Sequence, residues 1–511
     1  MKKILPILLC LVVIIAVFTV IKRNKQPEVP TAEITGETSF VSVPGTVEKE
    51  IKIGYFKEKS LNPYKTSSAL NRSIGTLVYD SLFVVEDNFS VLPLMAETVS
   101  YDGNKLTVDI IDEMYFSDGS PITTTDIVYS FKLAKQNSFY SKRLSNFNAA
   151  VKGETSVIFT LKRNDTAAES NLIFPIVKFG TGTDKFPVGS GRYKFKKADG
   201  KLYLKENEYS TRGEEMATDT IRLTPISADA SEIYQLQSGD LTIFFDDLSV
   251  NSFTKINANM VRVPLNNLVY LGFNSNNKFL RDSAVKKAIE LCTDKTTIAD
   301  TAFSGYCRIA HTIFNPDWEI TSTAYTPESE YNLFKAEEVL EKADYVYAYK
   351  KNKYRSKNYN FLTLRLIVNK ENKNRCKAAD IIAKNLRSAG FEIKLQKLSF
   401  EDYSLAIRSG NFDLYLGEVA LSPGMDFSAF FSGEGELSSG IDVGGTVSDA
   451  YFDYREGTID FSTFNQVINH EKPFIPICYR DGMMYFSREL SYEGTVNQFD
   501  IFKNAYSWEL K

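Results

Sequence analysis

Between residues 361 and 416 the hydrophobic period alternates between two residues and 3.6, and this constrains the fold more than any other feature. Residues 361–368 (FLTLRLIV) read as a strand, and 376–388 (CKAADIIAKNLRS) as a helix closed by Gly390 near its C-cap. Phe391–Leu398 is a second strand, 401–409 a second helix stopped by Gly410, and Phe412–Leu416 a third strand. Strand, helix, strand, helix, strand in this order predicts parallel strands joined by right-handed crossovers. The fold class is α/β. At 511 residues the chain exceeds one compact core, and about 150 residues per domain suggests two to four domains.

Earlier segments fit the same class. Ile51–Phe56, Lys105–Ile111, Ser156–Leu161, Arg192–Lys196 and Leu202–Lys205 read as strands, and 74–83 carries a helical stripe of Ile74, Leu77, Val78 and Leu82. In SDGSPITTTDIVYSFKLAK, a turn at Asp118-Gly119 precedes threonine caps and a helix bearing Ile127, Val128 and Phe131. Ser117, Asp118 and Ser120 cluster there as turn residues, and Asp126, three beyond Thr123, belongs to a capping arrangement.

The N-terminus is different. Eighteen predominantly apolar positions, Ile4 to Ile21, follow Met1-Lys2-Lys3 and precede Lys22-Arg23. As a helix they span about 27 Å, close to a bilayer's hydrocarbon thickness. No small-residue cleavage site follows them, so an uncleaved membrane anchor is expected rather than a removed signal. Cys10 follows Ile7-Leu8-Leu9, which does not suit a lipoprotein site. Residues 22–48, with Pro27, Pro30 and Pro44, read as a flexible linker.

Composition excludes several classes. Sixty basic against 64 acidic residues give a net charge of −4, without the basic surplus of a nucleic-acid binder. His311 and His470 are the only histidines, and they stand far apart, so no metal site is expected. His470 reads as a surface or cap residue. Five cysteines form no CxxC. Cys292, on a helix's apolar face, reads as a buried free thiol, with pairing to Cys307 the alternative. GxxxxGK[ST], HExxH and GxSxG are all missing. No catalytic residue and no cofactor is expected.

Several segments together resemble the family 5 extracytoplasmic solute-binding proteins, the oligopeptide, dipeptide and nickel receptors of ABC importers. They are LNPY (61–64), LVYDSLF (77–83), FSDGSPITTTDIVYSF (116–131), VGSGRYKF (188–195), VYLGFNSNNKFLRDSAVKKAIELCTDK (269–295), YNLFKAEEVLEKA (331–343), AADIIAKNLRSAGFEIKL through GNFDLYLG (378–417) and FIPICYR (474–480). The resemblance implies a two-lobed, periplasmic-binding-protein-like clamshell (type II) with an additional third domain. The first lobe would combine residues 49–80, 185–268 and 483–511; 81–184 would form the extra domain and 269–482 the second lobe. It implies a membrane-tethered, extracytoplasmic receptor that captures a peptide or peptide-like solute between the two lobes by hinge closure and delivers it to ABC permease subunits. The alternative is a degenerate receptor domain acting as a sensor or interaction module.

By segment matching, the cleft would be lined by Asn62, Asn266, Tyr270, Glu418, Asp426, Tyr479 and Arg480. Tyr270 and Tyr479 would offer stacking surface, Arg480 would pair an anionic group, and Asn62 and Asn266 would hydrogen-bond backbone amides. Peptide receptors of the family carry a tryptophan and then an aspartate that binds the peptide's amino terminus. Aligning Asp426 with the aspartate before the next helix puts Glu418 at the tryptophan and Leu421 at the anchoring aspartate. The expectation is a receptor that does not demand a free peptide N-terminus; a shifted alignment would make Glu418 the anchor instead.

Overall fold

The computed structural model describes residues 49–210, 212–227, 231–249, 253–324, 330–347 and 353–511. The apolar N-terminal run, Cys10 and the linker lie outside the described residues. Among the described residues, no helix is long and apolar enough to cross a membrane.

Eleven strands form one mixed sheet. Its path runs 392–398, 363–369, 414–420, 259–273, 474–486, 243–246, 51–56, 220–226, 201–206, 193–198, with Cys307–Ile309 added against 474–486. Thr363–Asn369 pairs in parallel with both Glu392–Leu398 and Leu414–Ala420, as the alternating period requires. Helix Lys373–Ser388 is capped by the Asn372 side chain and helix Phe400–Arg408 by Ser399. The first helix of the body is Ala69–Val78, earlier than the stripe at 74–83 suggested, because Ser68 caps it and Tyr79 is already extended. The apolar stripe reports the buried face, while the cap sets the start.

Asn259–Phe273 and Phe474–Phe486 are long enough to belong to both halves of the sheet. Their outer portions pair from Asn259↔Phe486 to Pro264↔Asp481, and pairing resumes at Leu268↔Tyr479. Three residues on one strand, Leu265, Asn266 and Asn267, thus oppose one, Arg480, on the other and bulge from the ladder. Pro264 lacks the N–H that would continue it. A second irregularity falls at Tyr270↔Pro476, again at a proline.

Separate hydrophobic cores sit on either side of this break. One, with Leu77, Tyr193, Ile221 and Trp508, underlies the strands 51–56 and 193–226. Two others cover the faces of the 363–420 layer: Val285, Ile289, Ile382 and Leu386 on one, Tyr270, Phe427, Phe430, Tyr451 and Phe464 on the other. A fourth fills a small domain in which strands 96–102, 105–110, 156–161 and 147–152 pack on helix Thr124–Gln136. That helix has the expected capping box, Asp126 Oδ2 accepting from Thr123 N at 2.8 Å. Each fully buried aliphatic or aromatic side chain contributes about 1.5–3 kcal/mol, so these cores, without a disulfide among the described cysteines, hold the body together.

In VGSGRYKF, a Cβ on Gly191 would lie 2.6 Å from the Val78 carbonyl carbon. Glycine there lets the chain press against the end of helix Ala69–Val78, and Gly191 N donates to Val78 O at 2.9 Å. This contact brings Arg192 beside that helix.

Candidate functional site

A cavity of about 450 Å³ lies where helix Ala69–Val78, the small domain, the bulge between the long strands and the segment 498–503 meet. Tyr79, Phe83, Phe139, Phe245 and Phe499 supply its apolar wall, and Leu265 and Asn267 reach it from the bulge. Its volume is that of a small-ligand site, roughly 300–1,000 Å³.

The bulge also positions a buried polar network behind the cavity wall. Arg480 donates through Nε and Nη2 to Glu418 Oε1, both at 2.6 Å, while its Nη1 donates to the Asp247 carbonyl. Asn267 Nδ2 donates to the same Glu418 oxygen at 3.0 Å, and Asn267 Oδ1 accepts from Gln498 at 3.1 Å. Arg375 Nε stands 4.0 Å from Glu418 Oε2. Burial alone would raise the Glu418 pKa, but Arg480 and then Arg375 outweigh it and hold the carboxyl below its ordinary range. Asp481, the next residue on the strand, bridges Arg308 at 2.9 Å and Arg262 at 3.2 Å. Arg308 also donates to the carbonyl of Leu265 at 2.6 Å. The bulge is cross-linked by charge.

Of the seven residues expected in the cleft, Glu418 and Arg480 are brought together, and they satisfy each other rather than facing the cavity. Asn266 is wholly buried beside them; its Nδ2 donates to Ser422 O at 2.8 Å and its Oδ1 accepts from Asn315 at 2.9 Å, tying the bulge to the loop after 414–420. Tyr270 and Tyr479 are core residues, not stacking surfaces. The Tyr270 hydroxyl meets that of Tyr415 at 3.1 Å, and Tyr479 donates to Ile313 O at 2.6 Å. Alternation along each strand turns them to the aromatic core, opposite the face carrying Glu418. Asp426 accepts from Ser428 N and Tyr451 Oη, both at 2.7 Å, and so shapes the turn into helix Ser428–Phe431. Asn62 donates to Gly182 O at 2.9 Å and Asp184 O at 2.8 Å, joining the LNPY turn to the small domain's edge. Leu421 is buried in the aromatic core on the face of the 363–420 layer. His470 is exposed on the last turn of helix Phe461–Glu471.

The charged cavity wall was not read from the sequence. Arg192, 2% exposed, pairs Glu214 (Nη2 to Oε1, 3.2 Å) and Asp500 (3.4 Å). Arg212 pairs Asp80 at 2.6 Å, and Lys503 pairs Glu86 at 2.8 Å. Arg72 and Arg143 complete the basic set. Their partners lie far away in sequence, so spacing carries no signal; the arginine inside VGSGRYKF was the available hint.

The small domain also touches helix Thr446–Glu456. Arg455, on helix Thr446–Glu456, pairs Asp165 at 2.8 Å and donates to Gly424 O at 2.7 Å, and Thr166 N donates to Arg455 O at 2.8 Å.

Two α/β layers crossed by a pair of long strands, with a small domain beside them, define a type II periplasmic-binding-protein fold. The crystal structure of a nickel ABC transporter from Bacillus halodurans superimposes with a TM-score of 0.74 at 18% identity, covering 89% of this chain and 98% of that one. Residues 90–436 match the bacterial extracellular solute-binding proteins, family 5 Middle, and the chain belongs to that family of ABC-importer receptors. In sequence it is similar to the oligopeptide-binding protein AppA of Bacillus subtilis, 25% identical over 377 residues, 68% of each chain. It is also similar to the glutathione-binding protein GsiB of Salmonella paratyphi A, 22% identical over 333 residues, 60% of this chain and 64% of that protein.

Proposed function

We propose that this chain is a membrane-tethered extracytoplasmic receptor that takes a peptide or peptide-like solute into the 450 Å³ cavity and hands it to an ABC permease. The observation that carries the reading is the cavity's position: helix Ala69–Val78 and the bulged crossing strand, both of the first lobe, face the small domain across it, and the bulge on its wall lies where the long strands run on toward 269–482, the place a hinge would move. Relatives named for oligopeptides and for glutathione support the solute class. The apolar run before residue 22 supplies the tether. Lobes of 49–80 with 185–268 and 483–511, and of 269–482, around an extra domain of 81–184, fit the separate cores.

Native mass spectrometry of the purified full-length chain should detach a peptide-like molecule, and small-angle scattering should show a smaller radius of gyration after its re-addition. An unchanged scattering curve at saturating ligand refutes hinge closure. Retention only of non-peptide solutes refutes the solute class.

A further inference from the structure

Most charges of the cavity wall are neutralised by neighbours, but two cations are not. Arg192, Arg212 and Lys503 each hold a carboxylate. Arg72 and Arg143 have no carboxylate within ion-pair distance among the described residues. Both guanidinium carbons instead lie over one ring, that of Phe139, at 3.8 Å and 4.8 Å from its centroid, and Arg143 also stands 5.5 Å from the Phe499 centroid. Arg72 Nε is buried with no hydrogen-bond acceptor. Burial pushes Arg143 down to about 10, Tyr140 partly opposing it and Arg72 adding to it. Two like charges held at one aromatic plate, both half-buried, are unfavourable to the protein without a counter-ion.

We propose that Arg72 and Arg143 form a built receptor for an oxyanion of the solute, the free carboxylate of a short peptide. The assignment rests on the cavity being the solute site. Two guanidiniums carry forked donors that match a carboxylate's two oxygens, and Phe139 fixes both forks without competing for their N–H groups. Arg72 comes from the first lobe's helix and Arg143 from the small domain, so one carboxylate would join both walls. Among the described residues, Asp247 is the wall's remaining carboxylate outside an ion pair, and its Oδ1 accepts from Ser249 N at 2.9 Å. It excludes a second anion there and favours a solute that is negative at one end only.

The test offers the full-length chain two libraries of peptides two to five residues long, one as free acids and one as C-terminal amides. Retention is read by native mass spectrometry and affinity by calorimetry. Free acids should bind about 10- to 100-fold tighter than their amides. Arg72→Gln and Arg143→Gln should reduce the acid to the amide's affinity, whereas Arg72→Lys should retain part of the preference. Without peptide, each Gln variant should melt at or above the parent temperature, since one of two like charges is gone; a merely structural arginine would lower it. Acid and amide binding alike, or Gln variants binding the acid as the parent does, overturns the carboxylate assignment and leaves the receptor reading intact. Retention of neither library overturns the peptide-receptor reading itself.

Discussion

Replacing Glu418 by glutamine removes one charge from the buried network behind the cavity and leaves its shape nearly intact. The Arg480 side chain is only 3% exposed, so water cannot take over the role of the lost carboxylate. At about 4 Å between charge centres and an effective dielectric near 20, the lost attraction is about 4 kcal/mol. The glutamine oxygen still accepts from Arg480 or Asn267, and relief of the carboxylate's own desolvation offsets part of the loss. Breaking a buried pair from one side costs about 3–5 kcal/mol, and the retained hydrogen bond places Glu418→Gln near about 3 kcal/mol. Urea titration followed by far-UV circular dichroism measures it. Arg480→Met should cost a similar amount, and the double variant should cost less than the two singles together. The pH dependence has a definite sign. Because the folded-state pKa of Glu418 is depressed below its ordinary value near 4.5, its contribution is present above that value and lost as pH falls through the folded pKa. Glu418→Gln should therefore flatten the acid limb of the stability profile. A loss below about 1 kcal/mol at neutral pH, or an unchanged acid limb, refutes a tightly paired Glu418.

Three further outcomes follow from separate contacts. With Glu418 held by Arg480 and Leu421 in the core, acetylating a bound peptide's amino terminus should change affinity by less than about threefold in calorimetry; abolished binding, shared by Glu418→Gln, would restore Glu418 as the anchor. Arg455→Met severs the buried link to Asp165 and Gly424, so the ligand-free protein should scatter with a larger radius of gyration and bind about tenfold more weakly; an unchanged curve would show the link to be incidental to closure. Gly272→Ala drives a methyl into the Tyr415 ring, and thermal denaturation should reveal a loss of about 1–3 kcal/mol from overpacking; a melting temperature equal to the parent's would contradict that crowding.

The sequence by itself determined the local elements and, through their order, the fold class. The alternation at 361–416 is a property of neighbouring residues, and so are the Thr123–Asp126 capping box and the apolar face carrying Cys292; each appears in the structure. The ordered segments from LNPY to FIPICYR likewise sufficed for the family. Tertiary structure alone decided which side chains meet. Tyr270 and Tyr479 look equally fit for a cleft or a core, and strand alternation around the bulge after Pro264 turned them into the core. Glu418 and Arg480, 62 residues apart, are partners because two strands flank Asn259–Phe273. Arg72 and Arg143 belong to different bodies, and only their packing around Phe139 leaves them facing one cavity without a counter-charge. Periodicity reports which face of an element is buried; the balance of charge in a cavity is a property of elements distant in sequence.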